Sequence, residues 1–165
     1  LKECACMKKK ILFVCLGNIC RSPAAEGIFI HLIKEKAIED HYHVDSAGTG
    51  SWHAGSEADS RMQDAAQRRG IVIKSIARQI TREDLQKFDL ILTMDNENLL
   101  TLLSLAKEFD SNLTKKIKPI LGFSTNSRLI EVPDPYYGGE KGFEKVLDLL
   151  EDACKGLLNE LSLCH

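Results

Sequence analysis

The sequence predicts a single α/β domain in which helices cover both faces of a parallel sheet. Short apolar runs alternate with amphipathic segments of helical period along the 165 residues. Parallel strands need crossover helices of this kind to join them. No repeat, low-complexity stretch or linker divides the chain into further domains. In doubly wound folds of this class, ligands bind at the carboxyl ends of the strands, where the strand order reverses.

The first strand and the first helix meet at a short loop. An apolar run over 11–15 predicts a buried strand, and apolar side chains at helical spacing predict a helix over 23–37. Ser22 is the expected N-cap of this helix, and Pro23 stands where its first residue should lie. Residues 15–21 therefore connect the strand to the helix through a tight turn.

The later segments continue the same alternation and are bounded by turn residues. Strands are predicted over 44–47, 88–93 and 118–121. Helices are predicted over 58–69 (closed by Gly70), from Thr81 or Arg82 to Gln86, over 95–108 and over 143–161. Glycine, proline and small polar residues predict loops over 48–55 and 127–137.

The loop over 15–21 has the local chemistry of an anion site. Backbone N–H groups at the start of a helix converge there, and the helix dipole adds positive potential. Gly17 permits close approach of the backbone, and Asn18 tolerates a left-handed conformation. Cys15, at the end of the strand, would be a thiolate nucleophile in this field, and the planar fork of Arg21 could grip two phosphate oxygens.

Composition narrows the classes of function. The formal net charge of −2 gives no argument for binding nucleic acid or a membrane surface. No apolar run approaches the ~18 residues of a spanning helix, and no signal-peptide pattern is visible. The cysteines cluster at the two ends of the chain, unlike those of a disulfide-stapled secreted domain. We therefore expect the cytoplasm or another reducing compartment, and we leave open a removed targeting segment before Leu1.

The loop motif extends over 14–26, which read Val-Cys-Leu-Gly-Asn-Ile-Cys-Arg-Ser-Pro-Ala-Ala-Glu. The Cys-x5-Arg-Ser spacing is typical of cysteine-dependent phosphatases, and the full string closely resembles the low-molecular-weight protein tyrosine phosphatase family. The resemblance covers residues 8–163, which we take as the phosphatase domain, with 1–7 as an N-terminal extension. It implies three layers around a four-stranded parallel sheet in the flavodoxin-like order 2-1-3-4.

The resemblance also implies the chemistry, which is phosphomonoester hydrolysis through a cysteinyl-phosphate intermediate. Cys15 would be the nucleophile, with Arg21 holding the phosphate. Asp134, in Val-Pro-Asp-Pro-Tyr-Tyr-Gly-Gly over 132–139, resembles the general acid of the family, although local sequence alone would favour a simple turn aspartate. The phosphate-binding set is the loop itself: Leu16, Gly17, Asn18, Ile19, Cys20, Arg21 and Ser22.

Further residues would support the loop or line the cleft. Asp45-Ser46-Ala47-Gly48-Thr49 matches a second family motif, in which Ser46 would hydrogen-bond Asn18, and Ser22 would hydrogen-bond the thiolate. Asp95 could pair with Arg21 or simply cap a helix. Family members often have a histidine where this chain has Ser75, which puts that local support in doubt. The expected walls of the substrate cleft are Ile19, Trp52, Tyr136 and Tyr137.

Cys20 is the expected redox partner of Cys15. The two thiols lie five residues apart in one curved loop, which should bring their Cβ atoms near the ~4 Å that a disulfide requires. Peroxide should oxidise Cys15 to the sulfenic acid, which a neighbouring thiol would capture. The resemblance supports this role, and the alternative is that Cys20 only fills space.

The expected partners are phosphotyrosine-containing proteins, acted on by a monomer without a metal or cofactor. The five histidines form no metal-ligand constellation, and Cys4 and Cys6 lack partners at metal-site spacing.

Three other functions share features of the sequence. Thioredoxin-coupled arsenate reductases use a similar loop but need later redox cysteines, and none lies between Cys20 and Cys154. Protein-arginine phosphatases resemble this chain more closely but typically carry threonine at the position of Ile19, so Ile19 favours phosphotyrosine. A catalytically silent phosphate-binding module is the third alternative, and the presence of Cys15, Arg21 and Asp134 argues against it.

Overall fold

A computed structural model describes residues 7–162, apart from the side chain of Tyr137. Its four strands form one parallel sheet in the order β2-β1-β3-β4, which confirms the predicted topology. The expected N-terminal extension lies outside the described residues, except for Met7. The strands are β1 (Lys9–Cys15), β2 (Tyr42–Gly48), β3 (Leu90–Thr93) and β4 (Ile117–Pro119). The helices are α1 (Arg21–Glu35), α2 (Ser60–Gln67), α3 (Arg82–Lys87), α4 (Asn96–Phe109) and α5 (Gly139–Ser162).

Strand β1 occupies a central position because its side chains are apolar on both faces. Ile11 and Phe13 point to one helical layer, and Leu12 and Val14 point to the other; all four are fully buried. The strand pairs with β2 on one side and β3 on the other. Its carboxyl end therefore lies inside the sheet, where strand order reverses and where Cys15 is located.

Three helices cover one face of the sheet and two cover the other. Helices α1, α2 and α5 pack with Phe13, and their apolar residues form the larger core cluster. Helices α3 and α4 pack with Val14 through Leu85, Leu102 and Ala106. The two clusters make the three layers expected of a doubly wound fold.

The predicted start of α1 was wrong. The helix begins at Arg21, its N-cap is Cys20, and no side chain caps it. Ser22 lies inside the first turn, where its hydroxyl instead contacts Cys15 and Asn18. The Ser22 hydroxyl therefore bonds within the loop and does not cap the helix.

The fourth strand is also shorter than predicted. It ends at Pro119, and residues Ile120–Phe123 form a 3-10 turn rather than continuing the strand. Proline has no N–H to offer the sheet at that point. The apolar segment over 71–73 belongs to no regular element, although Ile71 is buried against the larger cluster.

Two other boundaries follow the sequence signals closely. Gly70 has a φ of 78°, and the bonds from its N–H to Gln67 and from Ile71 N–H to Ala66 O close α2 as a Schellman motif. Thr81 and Asp84 form a reciprocal capping box at the start of α3. Within residues 7–162, no helix is both long and apolar enough to cross a membrane.

Candidate active site

The phosphate loop, residues Cys15–Arg21, wraps around the sulfur of Cys15 at the end of β1. The Cys15 side chain is 2% exposed. Asn18 N–H donates to the sulfur at 3.3 Å, and the Ser22 hydroxyl lies 3.0 Å from it. Donors that point at sulfur stabilise a thiolate and ease its departure from phosphorus. The loop therefore already directs hydrogen bonds toward the atom that would carry negative charge.

Asn18 fixes the curvature of the loop. Its φ of 56° is left-handed, a conformation that asparagine tolerates better than most residues. Its amide nitrogen donates to the hydroxyls of Ser22 at 2.8 Å and Ser46 at 3.0 Å. Its amide oxygen accepts the N–H of Arg78 at 3.0 Å. The predicted contact between Asn18 and Ser46 is present, and the strained residue is held from three directions.

The end of strand β2 braces the same loop from the side. Thr49 N–H donates to Cys15 O, and Gly50 N–H donates to Leu16 O, each at 2.9 Å. A Cβ atom on Gly48 would lie 2.7 Å from Leu16 O, so only glycine permits this close approach. The second motif thus supplies backbone contacts as well as the Ser46 hydroxyl.

Arg21 is anchored from behind the cleft. One of its terminal nitrogens, Nη1, donates to Asp95 Oδ2 at 2.8 Å and to Val132 O at 3.1 Å. Burial disfavours the charge, but the negative charge of Cys15 and the Asp95 carboxylate outweigh it and raise the pKa of Arg21. The guanidinium therefore stays charged beside the Cys15 sulfur.

Asp95 performs both of the roles that its sequence left open. Its Oδ2 atom accepts from Arg21, while its Oδ1 atom accepts the N–H of Asn98 at 2.8 Å and so caps α4. The two oxygens of one carboxylate can accept hydrogen bonds independently, so Asp95 bonds α1 through one oxygen and α4 through the other. The start of α4 and the position of Arg21 are consequently fixed by the same side chain.

Asp134 lies at the start of a 3-10 turn, Pro135–Tyr137, which we call the acid turn. Its Oδ1 atom accepts the N–H of Tyr136 at 3.0 Å. Just upstream, Val132 is buried and its N–H donates to Met94 O at 2.8 Å, which ties this segment to the end of β3. The turn thus brings a carboxylate from far along the chain to the cleft that contains Cys15.

The cleft itself is small, with a volume of about 130 Å³. Trp52 is 74% exposed and Tyr136 is 58% exposed, so both rings stand at the rim rather than in the core. The side chain of Tyr137 lies outside the description, so its expected place in the cleft stays a prediction. The lining residues are Cys15, Leu16, Gly17, Ile19, Cys20, Arg21, Trp52, His53, Asp59, Asp134 and Tyr136.

Cys20 shares the cleft with Cys15 but differs from it electrostatically. Burial raises the pKa of the Cys20 thiol, and the negative charges of Asp59 and Cys15 raise it further. Cys20 therefore stays protonated at neutral pH. Both residues are free thiols in the structure.

Four residues that the sequence analysis missed contribute to the site. Glu26 accepts a hydrogen bond from Ser46 Oγ at 2.6 Å and so supports the serine that supports Asn18. Burial raises the pKa of Glu26 to about 7, and the bond from Ser46 offsets only part of that effect. Ser75, which stands where a histidine was expected, also lies beside this carboxyl.

The other three are Arg78, His53 and Asp59. The guanidinium of Arg78 donates to the carboxylates of Asp84 and Asp45. These bonds hold Arg78 in place, so that its backbone N–H can donate to the side-chain oxygen of Asn18. His53 packs against Gly17, and Asp59 N–H donates to Ile19 O at 2.7 Å. Glu26 falls within the 14–26 motif, which was a usable signal. His53 was expected near the cleft, because it follows Trp52 in the same loop, but it was given no role. Nothing in the local sequence marks Arg78 or Asp59.

Comparison with known proteins agrees with this architecture. A family model described as low molecular weight phosphotyrosine protein phosphatase matches residues 10–163. The low molecular weight protein-tyrosine-phosphatase YfkJ of Bacillus subtilis is 44% identical over 149 residues, which cover 90% of this chain and 92% of that protein.

Two solved structures extend the comparison. The protein tyrosine phosphatase of Entamoeba histolytica, with Hepes in its active site, superposes with a TM-score of 0.89 at 46% identity, over 94% of this chain and 97% of that one. A drosophila arginine phosphatase superposes with a TM-score of 0.86 at 35% identity, over 94% of this chain and 98% of that one.

Proposed function

The chain belongs to the low molecular weight phosphotyrosine protein phosphatase family, and from this premise we propose that it hydrolyses phosphotyrosine in proteins. The reaction passes through a cysteinyl-phosphate on Cys15, the mechanism general to the family. The observation that carries the proposal is the cleft at the carboxyl end of β1, where Cys15, Arg21 and Asp134 line one small volume. These three residues supply a nucleophile, an anion clamp and a proton donor.

In the first step the Cys15 thiolate attacks phosphorus in line with the leaving tyrosyl oxygen. The S–P bond forms as the P–O bond breaks, and Asp134 gives its proton to the departing oxygen. Arg21 Nη1 is occupied by Asp95 and Val132, so the Nε and Nη2 groups are the ones offered to the phosphate. Together with the loop amides, they match the charge on the equatorial oxygens.

In the second step a water molecule attacks the phosphocysteine. The Asp134 carboxylate takes a proton from this water, the S–P bond breaks, and inorganic phosphate leaves. The Ser22 hydroxyl, 3.0 Å from the sulfur, stabilises the thiolate as it is released. The enzyme returns to its starting state with Asp134 protonated and Cys15 ionised.

The decisive experiment compares kcat/KM on matched peptides carrying phosphotyrosine, phosphoserine or phosphoarginine. The phosphotyrosine peptide should be hydrolysed fastest, because Trp52 and Tyr136 at the rim offer aromatic surface to its ring. Failure to hydrolyse either p-nitrophenyl phosphate or any of the peptides would instead indicate a silent phosphate-binding module.

Phosphoarginine hydrolysis is the second candidate function, because a structural neighbour is named an arginine phosphatase. Ile19 lines the cleft of this chain and is the residue that we expect to disfavour it. A phosphoarginine peptide hydrolysed faster than the phosphotyrosine peptide would overturn the proposal in favour of this candidate. We further infer that the enzyme works in a reducing compartment, because attack on phosphorus requires Cys15 as a free thiolate.

A further inference from the structure

Arg61, near the start of α2, is fixed to the phosphate loop through Asp59. Its Nε and Nη2 atoms donate to the two carboxylate oxygens of Asp59, at 3.1 and 2.8 Å. Asp59 is in turn bound to the loop by its N–H, which donates to Ile19 O at 2.7 Å. A bidentate pair of this kind fixes the plane of the guanidinium as well as its position.

The same guanidinium contacts two aromatic rings on other elements. Its central carbon lies 4.9 Å from the ring centroid of Phe143 and 5.3 Å from that of Tyr136. Phe143 belongs to α5 and is 2% exposed, so it is a rigid part of the core. Tyr136 belongs to the acid turn and lines the cleft. Arg61 therefore bridges the phosphate loop, the acid turn and the core.

We propose that Arg61 is a positioning residue, which holds the Tyr136 ring as a wall of the cleft and thereby sets the preference for aryl over non-aromatic phosphates. Tyr136 is 58% exposed at the rim of the cleft, and the Arg61 guanidinium lies over its ring. A cation over an aromatic face gives the ring a preferred position. The inference rests on the proposed function, because it concerns how that site selects an aromatic substrate.

The test separates recognition of the phosphate from recognition of the ring. Wild type and Arg61→Met are titrated by calorimetry with inorganic phosphate and with phenylphosphonate, which carries the ring but is not hydrolysed. Loss of the Arg61 charge affects both anions and cancels in the ratio of their affinities. We expect this ratio, phenylphosphonate over phosphate, to fall about fivefold in Arg61→Met, the size of an aromatic or cation–π contact.

Two further variants control for fold and charge. The Asp59 cap of α2 accepts the backbone N–H of Arg61, so the substitution leaves it in place. Arg61→Lys keeps the charge but lacks the planar fork, and it should lower the ratio about twofold. If Arg61→Met does not fold, Arg61→Lys decides the question. Arg68→Met removes a charge at the C-terminal end of α2, where Arg68 is paired with Glu144, and it should leave the ratio unchanged.

The route through Tyr136 is tested by a double-mutant cycle. In a Tyr136→Ala background, Arg61→Met should cause no further fall in the ratio, because the ring that it positions is gone. An unchanged ratio in the single variant, or a further fall without Tyr136, would overturn the inference. A wild type that binds both anions but hydrolyses no phosphotyrosine would defeat the proposed function alone.

Discussion

At the scale of single residues, the site depends on side chains that serve two partners at once. Asp95 caps α4 and anchors Arg21, and Ser22 contacts both Cys15 and Asn18. Such sharing holds the loop in one conformation without a ligand, and electrostatic catalysis depends on groups that are already in position. The Cys15 sulfur can therefore be replaced without moving Arg21 or the backbone N–H groups of the loop.

Cys15→Ser tests this separation of chemistry from binding. The variant should lose turnover to below about one per cent of wild type, because a neutral hydroxyl has no base here to activate it. It should still bind phosphate or vanadate, since Arg21 and the loop amides remain. Phosphatase assays together with calorimetric titration check both halves. Substantial residual turnover would contradict a covalent step on sulfur.

Asp134→Ala tests the general acid. Substrates with poor leaving groups depend most on protonation, so turnover of phosphotyrosine should fall by roughly 10²-fold or more. Turnover of p-nitrophenyl phosphate should fall less, because its leaving group is stable as an anion. Steady-state kcat values on both substrates measure the difference. Equal losses would show that Asp134 only shapes the turn.

Cys20→Ser tests redox protection. Peroxide should oxidise Cys15 to the sulfenic acid, which the Cys20 thiol would convert to a disulfide that dithiothreitol can reduce. Wild type should therefore recover activity after dithiothreitol, while the variant should be inactivated faster and permanently. Cys154→Ser is a matched control, because that thiol is buried against α1 away from the cleft. Equal recovery of Cys20→Ser and wild type would rule out Cys20 as the protecting thiol.

At the scale of secondary-structure elements, α5 depends on close contact with the 3-10 turn that follows β4. A Cβ atom added to Gly156 would lie 1.9 Å from Phe123 O, a backbone atom that cannot move aside cheaply. Gly142, in the same helix, has its nearest neighbour at 3.4 Å, an ordinary contact. The two glycines therefore differ in packing although they share one helix.

Replacing each of these glycines with alanine should have opposite effects on the melting temperature. Alanine is a better helix former than glycine by up to about 1 kcal/mol, and less in the first turn where Gly142 lies, so Gly142→Ala should leave the melting temperature unchanged or raise it slightly. Gly156→Ala should lower it by several degrees, because the clash outweighs helix propensity. Thermal unfolding followed by circular dichroism measures both. A Gly156→Ala protein as stable as wild type would mean that α5 and the turn can separate without cost.

The elements also show what the sequence could and could not predict. The central position of the first strand and the phosphate loop were predictable, because residues 11–15 are a continuous apolar run and the Cys-x5-Arg motif follows them directly. The strand order was available only through the resemblance to a known family. The start of α1 was not predictable, because the Ser22 hydroxyl binds sulfur instead of capping. The contacts of Arg61 with Phe143 and of Arg78 with Asn18 could not be predicted, since these partners are distant in sequence.

At the scale of the whole molecule, Glu26 makes the free energy of unfolding depend on pH. Burial raises its pKa from 4.5 to about 7 in the folded state. Between these values the folded protein binds more protons than the unfolded chain, so stability falls as pH rises and then levels off above about 7. The shift corresponds to about 3 kcal/mol in total. Burial and the charge of Lys87 lower the pKa of His43. This lowered pKa has the opposite effect on stability, which it makes rise with pH.

Glu26→Gln should remove this dependence while keeping an oxygen that accepts the Ser46 hydroxyl. Relative to wild type, the variant should gain stability at pH 8 and little at pH 5, because only the charged form of Glu26 is penalised. Urea unfolding at both pH values measures the difference.

Glu108→Gln makes the same charge change at an exposed position of α4 and should show no such difference. The carboxyls of Asp59, Asp84 and Asp152 have lowered pKa values and lose their contribution only below about pH 4, outside this range. A Glu26→Gln protein whose stability changes between pH 5 and pH 8 as much as that of wild type would show that this buried carboxyl is not the source.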